Sequence, residues 1–299
     1  MSKKFEIFPC GGIGDTMIIT PSVKALKETH PDHKIIVYYK QNGQKDVFLN
    51  NPNVDSLRDF RKMSFWRYYY RLSSFFIRKK TDPFVVLFQH IPPSWIYKVH
   101  VIDIVAEIFK VKLKSRKIEL FFTKDEENRA KQALKPFKNT VIMHIHSKSS
   151  QNHHWELENW EELIKQLPDY TFIQLGLKTE PEVKGALDWR GKTLFREALC
   201  LLKYADSFVG VDSNMAHATN AFDMPGVVLF GDSSPVHWGK PNNINIYKEV
   251  ECSPCYYELW HERCPYGHEC MKLITVEDVK KALIQQMNRR LKEKNKLIL

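Results

Sequence analysis

The sequence predicts an α/β protein of two doubly wound domains. Three observations carry this. Strand-like and helix-like segments alternate along most of the chain, a glycine-dense loop joins the first strand to the first helix, and 299 residues exceed what one hydrophobic core usually spans. Residues 5–8 read as the first strand and end at Pro9-Cys10-Gly11-Gly12-Ile13-Gly14-Asp15, which leads into helical periodicity through Val23, Leu26 and Lys27. Thr20-Pro21 has the form of an N-cap followed by proline at the first helical position, so a helix is expected to start or restart there. Residues 34–39 read as a second strand, because Ile35, Ile36, Val37 and Tyr38 are β-branched or aromatic. A further strand is expected at 84–88, and a charged helix at 125–134, stopping before Pro136.

The domain boundary is expected at 136–139, which gives an N-terminal domain of residues 1–137 and a C-terminal domain of residues 138–299. The second domain reads as strand 141–145, helix 158–167, strand 172–175, helix 195–204, and strands 207–211 and 227–230. A final helix at 275–294 carries the apolar stripe Val276, Val279, Leu283 and Met287. Ligands of such sheets bind beyond the carboxyl ends of the strands, and two domains imply a cleft between them.

With 43% hydrophobic and 27% charged residues and no low-complexity tract, the chain can bury a core, which excludes a disordered protein. No apolar run is long enough to span a bilayer, and Met1-Ser2-Lys3-Lys4 runs straight into the first strand, so a cytoplasmic protein is expected. The net charge of +10 favours an anionic partner: nucleic acid, a phospholipid surface or a phosphorylated saccharide.

Four constellations carry chemistry. In Gly11-Gly12-Ile13-Gly14-Asp15, small residues let a substrate approach, and Asp15 offers a carboxylate that serves either as general base for an acceptor hydroxyl or as a cap for the next helix. The glycine spacing does not match the dinucleotide fingerprint. In the second, Val209-Gly210-Val211-Asp212-Ser213-Asn214-Met215-Ala216-His217-Ala218, a strand runs directly into a helix N-terminus, with Ser213 as cap and His217 one turn in. Its free amides suit a diphosphate; the alternative is an ordinary capped helix with a core histidine.

The third is Cys252-x2-Cys255-x8-Cys264-x5-Cys270, with His261 and His268 among the thiols. Six cysteines in a chain without a visible export signal argue against a disulfide framework, which leaves a structural zinc or iron site, or else reduced thiols or a chance disulfide. The fourth is Arg58, Arg61, Lys62, Arg67, Arg71, Arg78, Lys79 and Lys80, interleaved with Phe65-Trp66 and Tyr68-Tyr69-Tyr70. It suits an anionic saccharide or a membrane interface, or forms a solvated helix with one aromatic face in the core; no nucleic-acid-binding module accompanies it.

The chain resembles glycosyltransferase family 9, the lipopolysaccharide heptosyltransferases. The resemblance rests on Gly14-Asp15-Thr16-Met17-Ile18-Ile19-Thr20-Pro21, Asp212-Ser213-Asn214-Met215-Ala216-His217 and Phe230-Gly231-Asp232-Ser233-Ser234-Pro235, with weaker echoes at 144–155 and 191–194. It implies a GT-B fold, an acceptor-binding N-terminal domain, a donor-binding C-terminal domain, an ADP-heptose donor, a lipopolysaccharide-type acceptor near the inner membrane face, and inversion without a catalytic metal. By the same resemblance Asp15 is the general base and Asp212 to His217 form the donor site; Gly14 is expected beside the donor, and Arg58, Arg61 and Lys62, from the basic run, at the acceptor. Some relatives carry a comparable cysteine cluster, and some modify proteins. The chain departs from the family in having Asn214 where glycine is usual and His153-His154 before Trp155 where a lysine or arginine is usual. Ser147 and Lys148 are the expected substitute phosphate contacts. A noncatalytic saccharide- or nucleotide-binding protein of the same fold is the alternative from another functional class.

Overall fold

A computed structural model describes residues 4–9, 11–62, 83–86, 93–259 and 262–296. The chain divides into two units, Met1–Phe122 and Thr123–Leu299. The first holds a parallel sheet of β1 (Lys4–Pro9), β2 (Lys34–Tyr39), β3 (Ser56–Asp59) and β4 (Pro83–Val86), in the order β3-β2-β1-β4. β2 is buried along most of its length, the near-continuous apolar run of a parallel strand covered on both faces. The helices Ile13–Thr29 and Val101–Phe109 pack together, burying Ile18, Ile19, Val23, Val101 and Val105. Of the strand expected at 84–88, the last two residues lie outside the described residues.

The expected helix start at Thr20-Pro21 is corrected. One helix runs through from Ile13 with Pro21 inside it. Proline lacks the N–H that would meet the Met17 carbonyl, a loss that normally breaks a helix. Here the Thr20 hydroxyl donates to that carbonyl at 2.8 Å, so the freed acceptor stays satisfied.

The second unit holds a six-stranded parallel sheet in the order β10-β9-β8-β5-β6-β7. Its strands are β5 (Thr140–His144), β6 (Thr171–Gln174), β7 (Leu187–Asp188), β8 (Ser207–Val211), β9 (Gly226–Phe230) and β10 (Asn243–Tyr247). From β5 the chain winds one way to β6 and β7, then crosses to β8 on the other side. The switch point is therefore the β5–β8 boundary, where doubly wound sheets bind ligands. Gly210 faces His144 across this boundary, and a Cβ there would lie 2.3 Å from the His144 carbonyl oxygen, so only glycine allows the two strands to pair. The core beneath contains Val141, Met143, Trp155, Trp160, Val209, Val227, Leu229 and, from the helix Val276–Lys296, Val279, Leu283 and Met287.

The units part at Phe122–Thr123 rather than at 137, because the helix Lys124–Leu134 packs on the helix Phe195–Tyr204 of the second unit. Glu126 grips the Arg196 guanidinium with oxygen–nitrogen distances of 2.5 and 2.9 Å, and Lys203 lies 2.6 Å from Glu127. The Arg196 hydrogen bonds hold the Glu126 carboxyl down to about 2, below its ordinary 4.5. A carboxyl held lower in the folded than in the unfolded state stabilises the fold above about pH 4.5 and loses that contribution as pH falls through about 2. Glu126→Gln is therefore expected to flatten the fall in melting temperature over that acid window, which thermal scans on both proteins measure. Among the described residues no helix is long and apolar enough to cross a membrane.

Candidate functional site

In the first unit the glycine loop is built around Asp15. Its Oδ2 accepts the Gly12 N–H at 2.6 Å, which ties the carboxylate to the N-terminus of the helix Ile13–Thr29. Gly11 adopts φ of +97°, and a Cβ there would stand 2.2 Å from Asp15 Oδ2, so conformation and space both demand glycine. The Gln44 amide anchors the loop through the Pro9 and Gly11 carbonyls at 3.3 Å each. Asp15 and Gly14 are half-buried beside exposed Gly11 and Gly12, so the capping carboxylate sits at the surface of the strand end.

Arg58, Arg61 and Lys62 are exposed at and just after β3. Arg61 is committed to Asp59 through two hydrogen bonds of 2.9 and 2.7 Å, which hold the Asp59 carboxyl at about 2. The Arg58 guanidinium lies 6.0 Å from the centre of the Tyr38 ring. The rest of the basic and aromatic run, Phe65, Trp66, Arg67, Tyr68, Tyr69, Tyr70, Arg71, Arg78, Lys79 and Lys80, lies outside the described residues.

In the second unit the strand ends at the switch point carry His144 (β5), Asp212 (after β8) and Asp232 (after β9), all buried. Ser213 is the N-cap of the helix Asn214–Ala218 and accepts the Ala216 N–H at 3.4 Å; its hydroxyl also meets His144 Nδ1 at 3.1 Å. Burial pushes His144 down to about 4, so the ring is neutral near pH 7. Asp212 accepts the Ser233 hydroxyl at 2.8 Å, and burial pushes its carboxyl up. The Asn214 Oδ1 is buried without a hydrogen-bond partner. Met215 and Ala216 are buried, and the His217 ring packs face to face on Trp238, with centroids 5.7 Å apart. Ser147 is buried with its hydroxyl 2.7 Å from that of Ser149, while Lys148 is exposed.

The sequence reading left Asp232, Ser150 and Lys240 out of the site. His153 Nε2 lies 2.5 Å from Asp232 Oδ1 with both side chains almost fully buried. Burial pushes the imidazole down, but the charge of Asp232, the hydrogen bond to it and then the charge of Asp212 outweigh it and leave His153 raised. Ser150 donates to the other Asp232 oxygen. Lys240, 3% exposed, donates to the Trp238 carbonyl at 2.7 Å and places a second buried cation near Asp212. The signal available in the sequence was Asp232-Ser233-Ser234 directly after the apolar strand, a polar cluster at the position where such sheets bind ligands.

The expected metal site is not formed among the described residues. Cys252, Cys255, Cys264 and Cys270 are free thiols, and no group of three or more histidine, cysteine or carboxylate side chains among the described residues could hold a metal ion. Burial pushes the Cys255 thiol up to about 12 and Cys270 to about 11, and Asp232 and the neighbouring thiols Cys252 and Cys264 add to it. The segment is instead anchored by hydrogen bonds: Asn152 Oδ1 accepts the Cys264 N–H at 2.9 Å and meets His268 Nε2 at 3.1 Å, and the Asp232 carbonyl accepts the Cys255 N–H at 2.8 Å. His261 lies outside the described residues.

Two units, each built on a parallel α/β sheet, fit the GT-B class of glycosyltransferase folds. A sequence model of glycosyltransferase family 9 (heptosyltransferase) matches residues 90–264, more than half of the chain, and the chain belongs to that family. Among solved structures it resembles a family 9 glycosyltransferase from Veillonella parvula, at 15% identity and TM-score 0.74, over 96% of this chain and 98% of that one. It also resembles the Escherichia coli ADP-heptose lipopolysaccharide heptosyltransferase II, at 14% identity and TM-score 0.71, over 96% and 99%. A third is the iron-containing dodecameric glycosyltransferase TibC of enterotoxigenic Escherichia coli, at 18% identity and TM-score 0.72, over 97% and 80%; TibC has also been solved with ADP-D-β-D-heptose. No curated protein sequence matches.

Proposed function

We propose that this glycosyltransferase transfers heptose from ADP-heptose, with inversion, to a lipopolysaccharide-type saccharide. The observation that carries the reading is the turn Asp212-Ser213-Asn214 at the switch point of the second unit, in a family whose solved members include one holding ADP-heptose. In this reading the first unit binds the acceptor and the second the donor. Asp15 takes the proton from an acceptor hydroxyl as that oxygen attacks the anomeric carbon from the face opposite the diphosphate. The bond from that carbon to the diphosphate breaks, and ADP departs with the electron pair. Amides of the Ser213–Met215 turn, with Ser147, Lys148 and His217, meet the growing negative charge. Asp212 holds the turn through Ser233.

Arg58, Arg61 and Lys62 favour an anionic acceptor, and a lipid-linked saccharide would place the enzyme in the cytoplasm at the inner membrane face. No step is assigned to a metal.

A second reading, a noncatalytic nucleotide-sugar-binding protein, is favoured by Asn214, whose side chain alters the turn where the family has glycine. Incubation of the purified protein with ADP-heptose and lipopolysaccharide core acceptors separates the two. ADP release coupled to heptosylated product by mass spectrometry is the expected result. Binding without release or transfer supports the second reading, and heptosylation found only on co-expressed proteins moves the acceptor to protein.

A further inference from the structure

We propose that His153 is a positioning residue whose pairing with Asp232 fixes the ends of β8 and β9, and through them the Asp212-Ser213-Asn214 turn. His153 lies in the stretch between β5 and the helix Leu157–Lys165 that contains neither helix nor strand, so its placement depends on side-chain contacts. Its Nε2 is 2.5 Å from Asp232 Oδ1, and both side chains are at most 2% exposed. Asp232 is a junction. Its second carboxylate oxygen takes the Ser150 hydroxyl, and its carbonyl takes the Cys255 and Tyr256 amides at 2.8 and 2.9 Å. The next residue, Ser233, donates to Asp212 at 2.8 Å, and Asp212 leads into the Ser213 cap.

Asp212 and Asp232 thus bury two carboxylates at neighbouring strand ends, where like charges push apart and each demands a cation. A neutral side chain would fill the space of His153 but leave Asp232 buried without its counter-charge. Asp232 would then shift toward water or toward other donors, carrying Ser233 and its grip on Asp212 with it. Residue 153 therefore acts on the turn through Asp232 and need not touch the donor.

What the turn binds rests on the function proposed above; that His153 orders it does not. The test compares the unaltered protein with His153→Gln and with His153→Gln/Asp232→Asn, which removes both charges together. Melting temperature, amide hydrogen exchange at 212–216 and calorimetric titration with ADP are measured on each. The single variant is expected to lose stability. The double variant is expected to regain most of the melting temperature while its 212–216 amides exchange about tenfold faster or more and ADP binds about tenfold more weakly. A double variant with unaltered exchange at 212–216 overturns the positioning role. Faster exchange in a protein whose unaltered form binds no ADP keeps that role and overturns the donor reading. Nitrogen chemical shifts of the unaltered protein provide a check that needs no variant: His153 should be an imidazolium at neutral pH, and a neutral ring overturns the proposal.

Discussion

Asp15→Asn is expected to lower kcat for heptose transfer by about 10²–10⁴-fold while ADP affinity changes by no more than about twofold. The substitution keeps the size of the side chain and one carbonyl oxygen to accept the Gly12 N–H, now at 2.6 Å, so the helix start survives. What it removes is the group proposed to take a proton from the acceptor. Asp15 belongs to the first unit and the donor turn to the second, so loss of the base should spare nucleotide binding. Steady-state kinetics and calorimetry on the same preparation make the distinction. A variant with full kcat would show that the carboxylate does no more than cap its helix.

Trp155→Ala is expected to cost about 3–5 kcal/mol of stability. The indole is 2% exposed and meets Trp160 edge-on at 4.6 Å, in the core shared with the C-terminal helix. Its Nε1 donates to the Ile274 carbonyl at 2.8 Å, so truncation opens a cavity and also strands a buried acceptor. Set against a typical stability of about 5–15 kcal/mol, such a loss brings the unit close to unfolding. Urea denaturation followed by the remaining tryptophan fluorescence gives the value, and a cost below about 1 kcal/mol would show that the site collapses around the cavity.

The strands at the centre of each sheet were legible because burial on both faces makes them continuous apolar runs. β2 and β8 begin and end where the hydrophobic pattern does. β3 and β10 were missed because they are edge strands of intermediate burial, with no such run to announce them. Local chemistry misled at Thr20-Pro21, where a pattern read as a cap is a hydroxyl standing in for proline's missing N–H. The helix 124–134 joins the second unit because its charges find partners about seventy residues on, at Arg196 and Lys203, a pairing that neighbours in sequence do not announce. In the site, the Ser213 cap was legible from a strand running into a helix, whereas the meeting of His153 with Asp232 depends on sheet order rather than on neighbours in sequence. The cysteine spacing suggested a metal; the thiols come near enough to one another to raise Cys255 and Cys270, yet no group of three or more ligating side chains among the described residues is arranged to hold an ion.

The most direct test of the donor assignment is calorimetric titration of the purified protein with ADP, UDP and GDP, repeated on His217→Ala. Selective ADP binding that is lost in the variant is the predicted result, since His217 closes the first turn after the Ser213 cap and packs on Trp238. Preference for UDP or GDP, or the absence of any nucleotide binding, would contradict an ADP-heptose donor at this turn.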